Sequence, residues 1–326
     1  MCIKLILYYL VLDILNEECV NMKKYKVVES DFKSLGECSD YAIELINSYN
    51  LEYKIPSQDE RDNIILKCIK YLLEESPVVA GSHRKNIWEN GWKENLDEYI
   101  KSNDLRSLVP KYLGKFDVQR LNGVFITPVS NDFEIRLVEL FQLIIFDKYF
   151  RDFNDIYEFG AGTGHNLLRV RKVNEKAMLH SLEWTKQGVE LLKYVANNLN
   201  DKKIDAHEFD FTRPNYNIQL KPLSAVYTFA ALEQLSDSTD EIIKYWIKNK
   251  PGIIVNIEPV TENLNQDELL QYLSTKYCEK RGYIKNYISK LKQFESNGEI
   301  KIHEILRPGI GGLFIENYSI IVWSPI

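Results

Sequence analysis

The alternation of hydrophobic and polar residues changes rhythm partway along the chain. From Ser30 to about Lys115 the text is polar, with apolar positions recurring at helical spacing: first Ile43, Leu45 and Ile46, later Ile64, Ile65, Ile69, Leu72 and Leu73. That spacing puts them on one side of a helix and predicts a helical N-terminal region. A turn-rich stretch, Thr127 to Asp132, precedes a strongly periodic segment, Phe133 to Phe150, with Phe133, Leu137, Leu140, Phe141, Ile144 and Ile145 on one side. Asn131 or Asp132 is placed to cap its start.

Beyond that segment short apolar runs alternate with amphipathic ones. Strands are predicted at Asp155–Phe159, Met178–Trp184, Ile204–Phe211, Ala225–Phe229 and Ile253–Ile257, and helices from about His165, at Lys186–Asn198 and at Thr239–Ile247. This is the signature of βαβ units around a parallel sheet. A long helical region from Gln266 to about Phe294 follows, then two β-rich stretches, Ile300–Leu306 and Tyr318–Trp323. The link through Pro308-Gly-Ile-Gly-Gly312 is too short for a crossover helix, so the final pair is expected to be antiparallel. The fold class is α/β, a doubly wound and mostly parallel sheet with a helical N-terminal extension. The boundary is expected near residue 125, dividing 22–125 from 126–326.

Length agrees, since 326 residues at about 150 per domain make about two domains. Composition is that of an ordinary globular protein, 45% hydrophobic and 27% charged. A net charge of -6 leaves no global basic field for a phosphate backbone, so no duplex nucleic acid is expected as partner. Cys2, Cys19, Cys38, Cys68 and Cys278 are scattered with no C-x-x-C pair, and the five histidines show no ligand spacing. Neither a disulfide framework nor a metal site is expected, and a reducing cytoplasm is the simplest location. The apolar segment Met1 to Leu15 carries Lys4 and Asp13 and is shorter than the roughly 20 residues of a membrane span. Residues 1–21 are compatible with a docked extra helix, with sequence upstream of a start at Met22, or with a membrane or export element.

The informative stretch is Ile156-Tyr-Glu158-Phe-Gly160-Ala-Gly162-Thr-Gly164-His165. A strand runs into three alternate glycines and then a helix, so the turn can take positive φ, bring a ligand to bare backbone and present free helix N–H groups. The dinucleotide fingerprint needs a glycine three residues after the second of its pair. His165 or Leu167 stands there in the two possible registers, which disfavours a nicotinamide-dependent reductase. Glu158, two residues before the first glycine, suits a ligand without phosphates, attracting a cation or accepting from an ammonium group.

Glu158-x-Gly160-x-Gly162-x-Gly164 resembles the first motif of class I S-adenosylmethionine-dependent methyltransferases. The resemblance implies a seven-stranded, mostly parallel sheet with a reversed last strand over roughly residues 130–326, and S-adenosylmethionine as cofactor. It implies that Glu183, 19 residues after Gly164 and followed by Trp184, holds the ribose hydroxyls. It also implies that Asp210, followed by Phe211, lies near the adenine, although Asp205 and Glu208 sit close enough for the strand register to slip. The run Thr228-Phe-Ala-Ala-Leu232-Glu233-Gln234-Leu resembles the motif after the fourth strand, and Ile257-Glu258-Pro259 the end of the fifth. No Asn-Pro-Pro-Tyr run follows strand four, a departure from the methyltransferases that modify base or glutamine amino groups.

Ligands of open α/β sheets sit outside the carboxyl ends of the strands. That selects Glu258 first and Glu233 second as polar contact or base, each with the alternative of accepting backbone N–H bonds in its own loop. For substrate contact the candidates are Trp92, Arg281 and Tyr283. Trp88 and Tyr112 are further pocket candidates, against packing or solvated roles. His165 either opens the helix as a cap or reaches a ligand. The expected activity is methylation of oxygen or nitrogen on a small molecule, such as a sugar or other metabolite. The net charge gives a mild preference for neutral or cationic acceptors. A catalytically silent S-adenosylmethionine-binding regulator is the alternative of another class.

Overall fold

Consecutive residues of the central strands face opposite sides, and both sides are dry. Val226 and Tyr227, Ile254 and Val255, and Ile321 and Val322 each split between two separate hydrophobic cores. A strand buried on both faces is the mark of a sheet covered by helices on each side. In this computed structural model, which describes residues 23–316 and 318–326, the sheet has seven strands. The expected leader, 1–21, lies outside the described residues. Five strands run parallel: β5 (Asp155–Phe159), β6 (Met178–Glu183), β7 (Ile204–Glu208), β8 (Ala225–Phe229) and β9 (Ile253–Glu258). β12 (Ser319–Pro325) pairs antiparallel with β9, and β10 (Ile300–Leu306) antiparallel with β12. The order β10-β12-β9-β8-β5-β6-β7 is that of a doubly wound sheet, and it reverses between β5 and β8. Such a switch point opens a crevice at the carboxyl ends of the strands.

Helices α4 (Phe133–Phe150), α5 (His165–Val173) and α6 (Lys186–Asn198) cover one face; α7 (Asp240–Asn249) and α9 (Tyr287–Ser296) cover the other. At the centre, Asn256 Oδ1 accepts from Tyr287 Oη (2.6 Å) and Trp323 Nε1 (2.8 Å), while its Nδ2 donates to Thr228 Oγ1 (3.0 Å). One buried amide thus joins β8, β9, β12 and α9.

Two expected elements end early. The strand predicted to reach Phe211 stops at Glu208, because Asp210 turns the chain by accepting from Thr212 N (2.8 Å) and Oγ1 (2.7 Å). The helical region 266–294 is two helices, α8 (Leu269–Arg281) and α9, separated by left-handed Gly282 (φ +63) and Asn286 (φ +56).

The N-terminal part holds the expected helices, α1 (Asp40–Ser48), α2 (Gln58–Glu74) and α3 (Lys85–Ser102), but also a small sheet. Its strands β1 (Tyr25–Lys26), β2 (Glu52–Lys54), β3 (Gln119–Leu121) and β4 (Val124–Pro128) are joined by β11 (Gly311–Gly312) from the far end of the chain, in the order β1-β2-β4-β3-β11. Fully buried Arg120 on β3 donates to the carbonyls of Leu270 (2.9 Å) and Leu313 (3.3 Å) and to Ser274 Oγ (2.6 Å). α3 lies along α6, where Tyr99 and Leu108 pack against Leu191 and Val195. Glu89 on α3 accepts from Lys186 N (3.2 Å) and Gln187 N (3.1 Å) at the first turn of α6, where a carboxylate meets free N–H groups and the positive end of the helix dipole. Among the described residues no helix is long and apolar enough to cross a membrane.

Candidate functional site

The crevice at the switch point is a cavity of about 320 Å³, bounded below by the strand ends and above by the N-terminal region. Its floor is the glycine turn. Gly160, Gly162 and Gly164 all have positive φ (+75, +55 and +77), which side chains rarely adopt. Space adds a second requirement. A Cβ on Gly160 would fall 2.5 Å from Ala231 Cβ, and one on Gly162 would fall 2.9 Å from the Trp92 ring. Gly162 is therefore not bare toward a ligand on every side, since α3 lays an indole directly over it.

Glu183, at the end of β6, lines the cavity and is 2% exposed. Its Oε2 accepts from Gly162 N (2.8 Å), and its Oε1 from Thr185 N (3.1 Å) and Oγ1 (2.8 Å). Burial raises its carboxyl above the usual range. Trp184, Asp210 and Phe211 also line the cavity. Asp210 spends Oδ1 on the Thr212 turn, and its Oδ2 lies 4.0 Å from Arg213 Nε. The Phe211 ring is stacked on Phe159 (6.3 Å between centroids).

Glu158 lies behind the loop. It is fully buried and does not line the cavity. Instead its Oε1 accepts from Asn166 Nδ2 (2.7 Å), and Asn166, on α5, is the one that reaches the cavity wall. Desolvation pushes the Glu158 carboxyl up to about 8. It holds Asn166 from behind the loop.

Glu258, the first candidate for a base, is also fully buried and outside the lining. Oε1 accepts from Ala231 N (3.0 Å) and Leu232 N (3.1 Å), and Oε2 from Glu233 N (3.3 Å). The carboxyl anchors the 3₁₀ turn Leu232–Leu235 and the chain after Ala230, a cavity-lining alanine held at φ +49. Left-handed backbone at a non-glycine residue is strained, and such strain persists only where the surroundings enforce it. Glu233, the second candidate, likewise lies outside the lining: its Oε1 accepts from Gln234 Nε2 (2.8 Å), and Gln234 faces the cavity in its place. Burial and the neighbouring Glu258 charge push Glu233 up to about 8. Arg281 and Tyr283 stand outside the lining as well, with the Arg281 guanidinium 5.5 Å from the Tyr283 ring centre.

The upper wall is aromatic. Trp88 and Trp92 stack on α3 (5.4 Å, 29°), and Tyr112 meets Trp88 edge-on (6.1 Å, 88°). All three line the cavity, so Trp92 both packs on the glycine turn and faces the pocket.

His165 is the polar group that sequence reasoning left undecided. Thr163 Oγ1 donates its single proton to the Leu108 carbonyl (2.7 Å), so toward His165 Nδ1 (3.0 Å) it can only accept. Nδ1 therefore carries the imidazole proton, and Nε2 is a lone pair on a ring that lines the cavity. Burial, helped by Arg169, holds the ring well below its ordinary pKa, so it is neutral. No sequence signal marked this relay, because Thr163 and Leu108 are 55 residues apart.

Neither a family model nor a curated protein matches the chain. Among solved structures it is similar to an O-methyltransferase of neocarzinostatin biosynthesis, NcsB1, in complex with S-adenosylmethionine and 2-hydroxy-5-methyl naphthoic acid (13% identity, TM-score 0.42, 74% of this chain and 70% of that one). CalO1, a methyltransferase in calicheamicin biosynthesis, is 15% identical (TM-score 0.47, 81% and 68%). The pyocyanin biosynthetic protein PhzM is 10% identical (TM-score 0.43, 87% and 76%). Likenesses this distant leave the function to be read from the chain's own residues.

Proposed function

We propose that the chain is an S-adenosylmethionine-dependent methyltransferase that acts on oxygen or nitrogen of a small molecule. The observation that carries this reading is the grip on one loop: Glu183 holds the Gly162 N–H from below while Trp92 covers its α-carbon, at the switch point of a seven-stranded sheet with a reversed strand. The residues present fit the cofactor. Glu183 makes three hydrogen bonds with its two oxygens and keeps acceptor capacity toward the cavity for a ribose diol. Asp210 Oδ2 and the Phe211 ring form a polar edge and a flat wall suited to an adenine. His165 Nε2 and the free N–H groups that open α5 offer an acceptor and donors for an amino acid's ammonium and carboxylate.

When bound, S-adenosylmethionine supplies a methyl group on a sulfonium centre. The chain's own contribution is alignment and exclusion of water. Trp88, Trp92 and Tyr112 close the cavity from above, while Asn166, held by Glu158, and Gln234 fix polar contacts on its sides. Neither Glu258 nor Glu233 faces this space. The low basicity of His165 Nε2 suits accepting a hydrogen bond, as from that ammonium, more than storing a proton.

Calorimetry with S-adenosylhomocysteine is the direct test. The wild type is expected to bind, and Glu183→Ala to bind at least about tenfold more weakly, the worth of one charge-assisted contact. No binding by the wild type, or binding by NADH instead, overturns the reading. Transfer of labelled methyl to a small-molecule fraction separates an enzyme from a silent cofactor-binding regulator.

A further inference from the structure

Helix α2 is apolar on two sides. On one, Ile65 and Cys68 pack with Phe125, Leu273 and Leu313. Leu66, Ile69 and Leu73, at steps of three and four, form a second row along its length. That row stays open among the described residues, its three side chains 47%, 36% and 78% exposed. Lys67, Lys70 and Glu74 are exposed on a third side, so the helix already has a solvated face. A single exposed leucine is ordinary, whereas a row of three beside a polar face marks a surface that another element covers.

The path of the chain brings a candidate to this row. β1 pairs antiparallel with β2 in the register Tyr25↔Tyr53 and Lys26↔Glu52. Continued back, that register sets Lys23 beside Ile55, three residues before α2 opens at Gln58. The segment ahead of Lys23 therefore leaves from beside the first turn of α2. Residues 1–15 of that segment are apolar but for Lys4 and Asp13, and a helix apolar nearly all round must be covered. At about 1.5 Å per residue they would make a rod of about 22 Å, against about 25 Å for the 17 residues of α2. The connector 16–22, at up to about 3.3 Å per residue, is long enough to turn the chain back. A second copy is a poorer occupant, because a stable dimer buries about 800 Å² on each side, more than three partly exposed side chains provide. A tethered helix needs less, since a short connector holds it at an effective concentration in the millimolar range.

We propose that residues 1–15 form a helix that folds back antiparallel to α2 and buries Leu66, Ile69 and Leu73. The leader is then part of the fold, and a chain started at Met22 has an uncovered face. Nothing in this contact depends on the cofactor cavity. The antiparallel return sets Cys2 near the far end of α2, beside Leu73, and Leu15 near its start.

The test uses the full chain carrying Cys19→Ser and Leu73→Cys, treated with a short bis-maleimide and digested for mass spectrometry. A link between Cys2 and the introduced thiol within one chain is expected, and it should vanish when Cys2→Ser is added. No link overturns the proposal, and a link joining two chains overturns it in favour of a second copy. Chymotrypsin supplies an independent readout through Tyr8 and Tyr9. Cutting there is expected to be at least about tenfold faster in the Leu66→Glu, Leu73→Glu double variant than in the wild type, because cleavage follows the population of the undocked segment. Equal rates would show that the leader does not rest on this row. Sedimentation of the wild-type chain with phosphatidylcholine–phosphatidylglycerol vesicles would assign residues 1–15 to a membrane surface and overturn the docked helix. All three positions changed on the body of the chain or its connector are exposed or outside the described residues, and the vesicle run needs no variant at all.

Discussion

Glu233 shows how a side chain's setting decides its chemistry. At the end of the fourth strand it looked placed for proton transfer; in the fold it lies under Gln234, with Glu258 adding like charge. Its carboxyl is pushed up to about 8, above the range of an unfolded glutamate. Between those two values the folded chain holds a proton that the unfolded chain has released, so the group lowers stability as pH rises from about 5 through 8. Glu233→Gln keeps the shape of the protonated acid. Its melting temperature is expected to match the wild type near pH 5 and to exceed it by a few degrees near pH 8, about what one kcal/mol yields in a chain of this size. Parallel melting curves across that range would contradict the assignment. Glu183 was legible in the sequence because its distance from the glycine turn is set by one βα unit. The burial of Glu158 and Glu258 was not, since each depends on which neighbours fold over it.

Strand and helix identities were readable from period and composition, and the antiparallel closing pair from the length of its link. Element ends were less so. β7 stops where Asp210 bonds its own turn, and α8 stops at a left-handed Gly282, both local choices that apolar periodicity does not report. The strands of the N-terminal sheet were missed because they are two to five residues long and one of their partners, β11, comes from the other end of the chain. Between elements, the Asn256 amide carries the tightest demand. Asn256→Leu would leave the Tyr287 hydroxyl and the Trp323 indole N–H buried without an acceptor. The expected cost is about 2–4 kcal/mol, from one to two kcal/mol for each orphaned donor. Urea unfolding measures it, and a loss below about 1 kcal/mol would mean that water or repacking supplies replacements.

Across the whole molecule, the division near residue 125 marks a change of pattern more than a seam. α3 covers Leu191 and Val195 of α6, α2 covers Leu273 of α8, and β11 completes the small sheet. We expect residues 126–326 produced alone to aggregate, because these contacts would become exposed apolar surface. A monodisperse, cooperatively melting fragment in size-exclusion and calorimetric runs would show two independent units. The same cross-chain packing explains why the acceptor side of the cavity was only partly legible: Trp88 and Trp92 could be placed on one helix face, but not over a turn seventy residues later. That stacked indole pair resting on Gly162 also gives the molecule its own optical gauge. Emission from the two rings originates at the floor and wall of the cavity, so a ligand that settles there would perturb their colour and intensity, and occupancy could be followed without any attached dye.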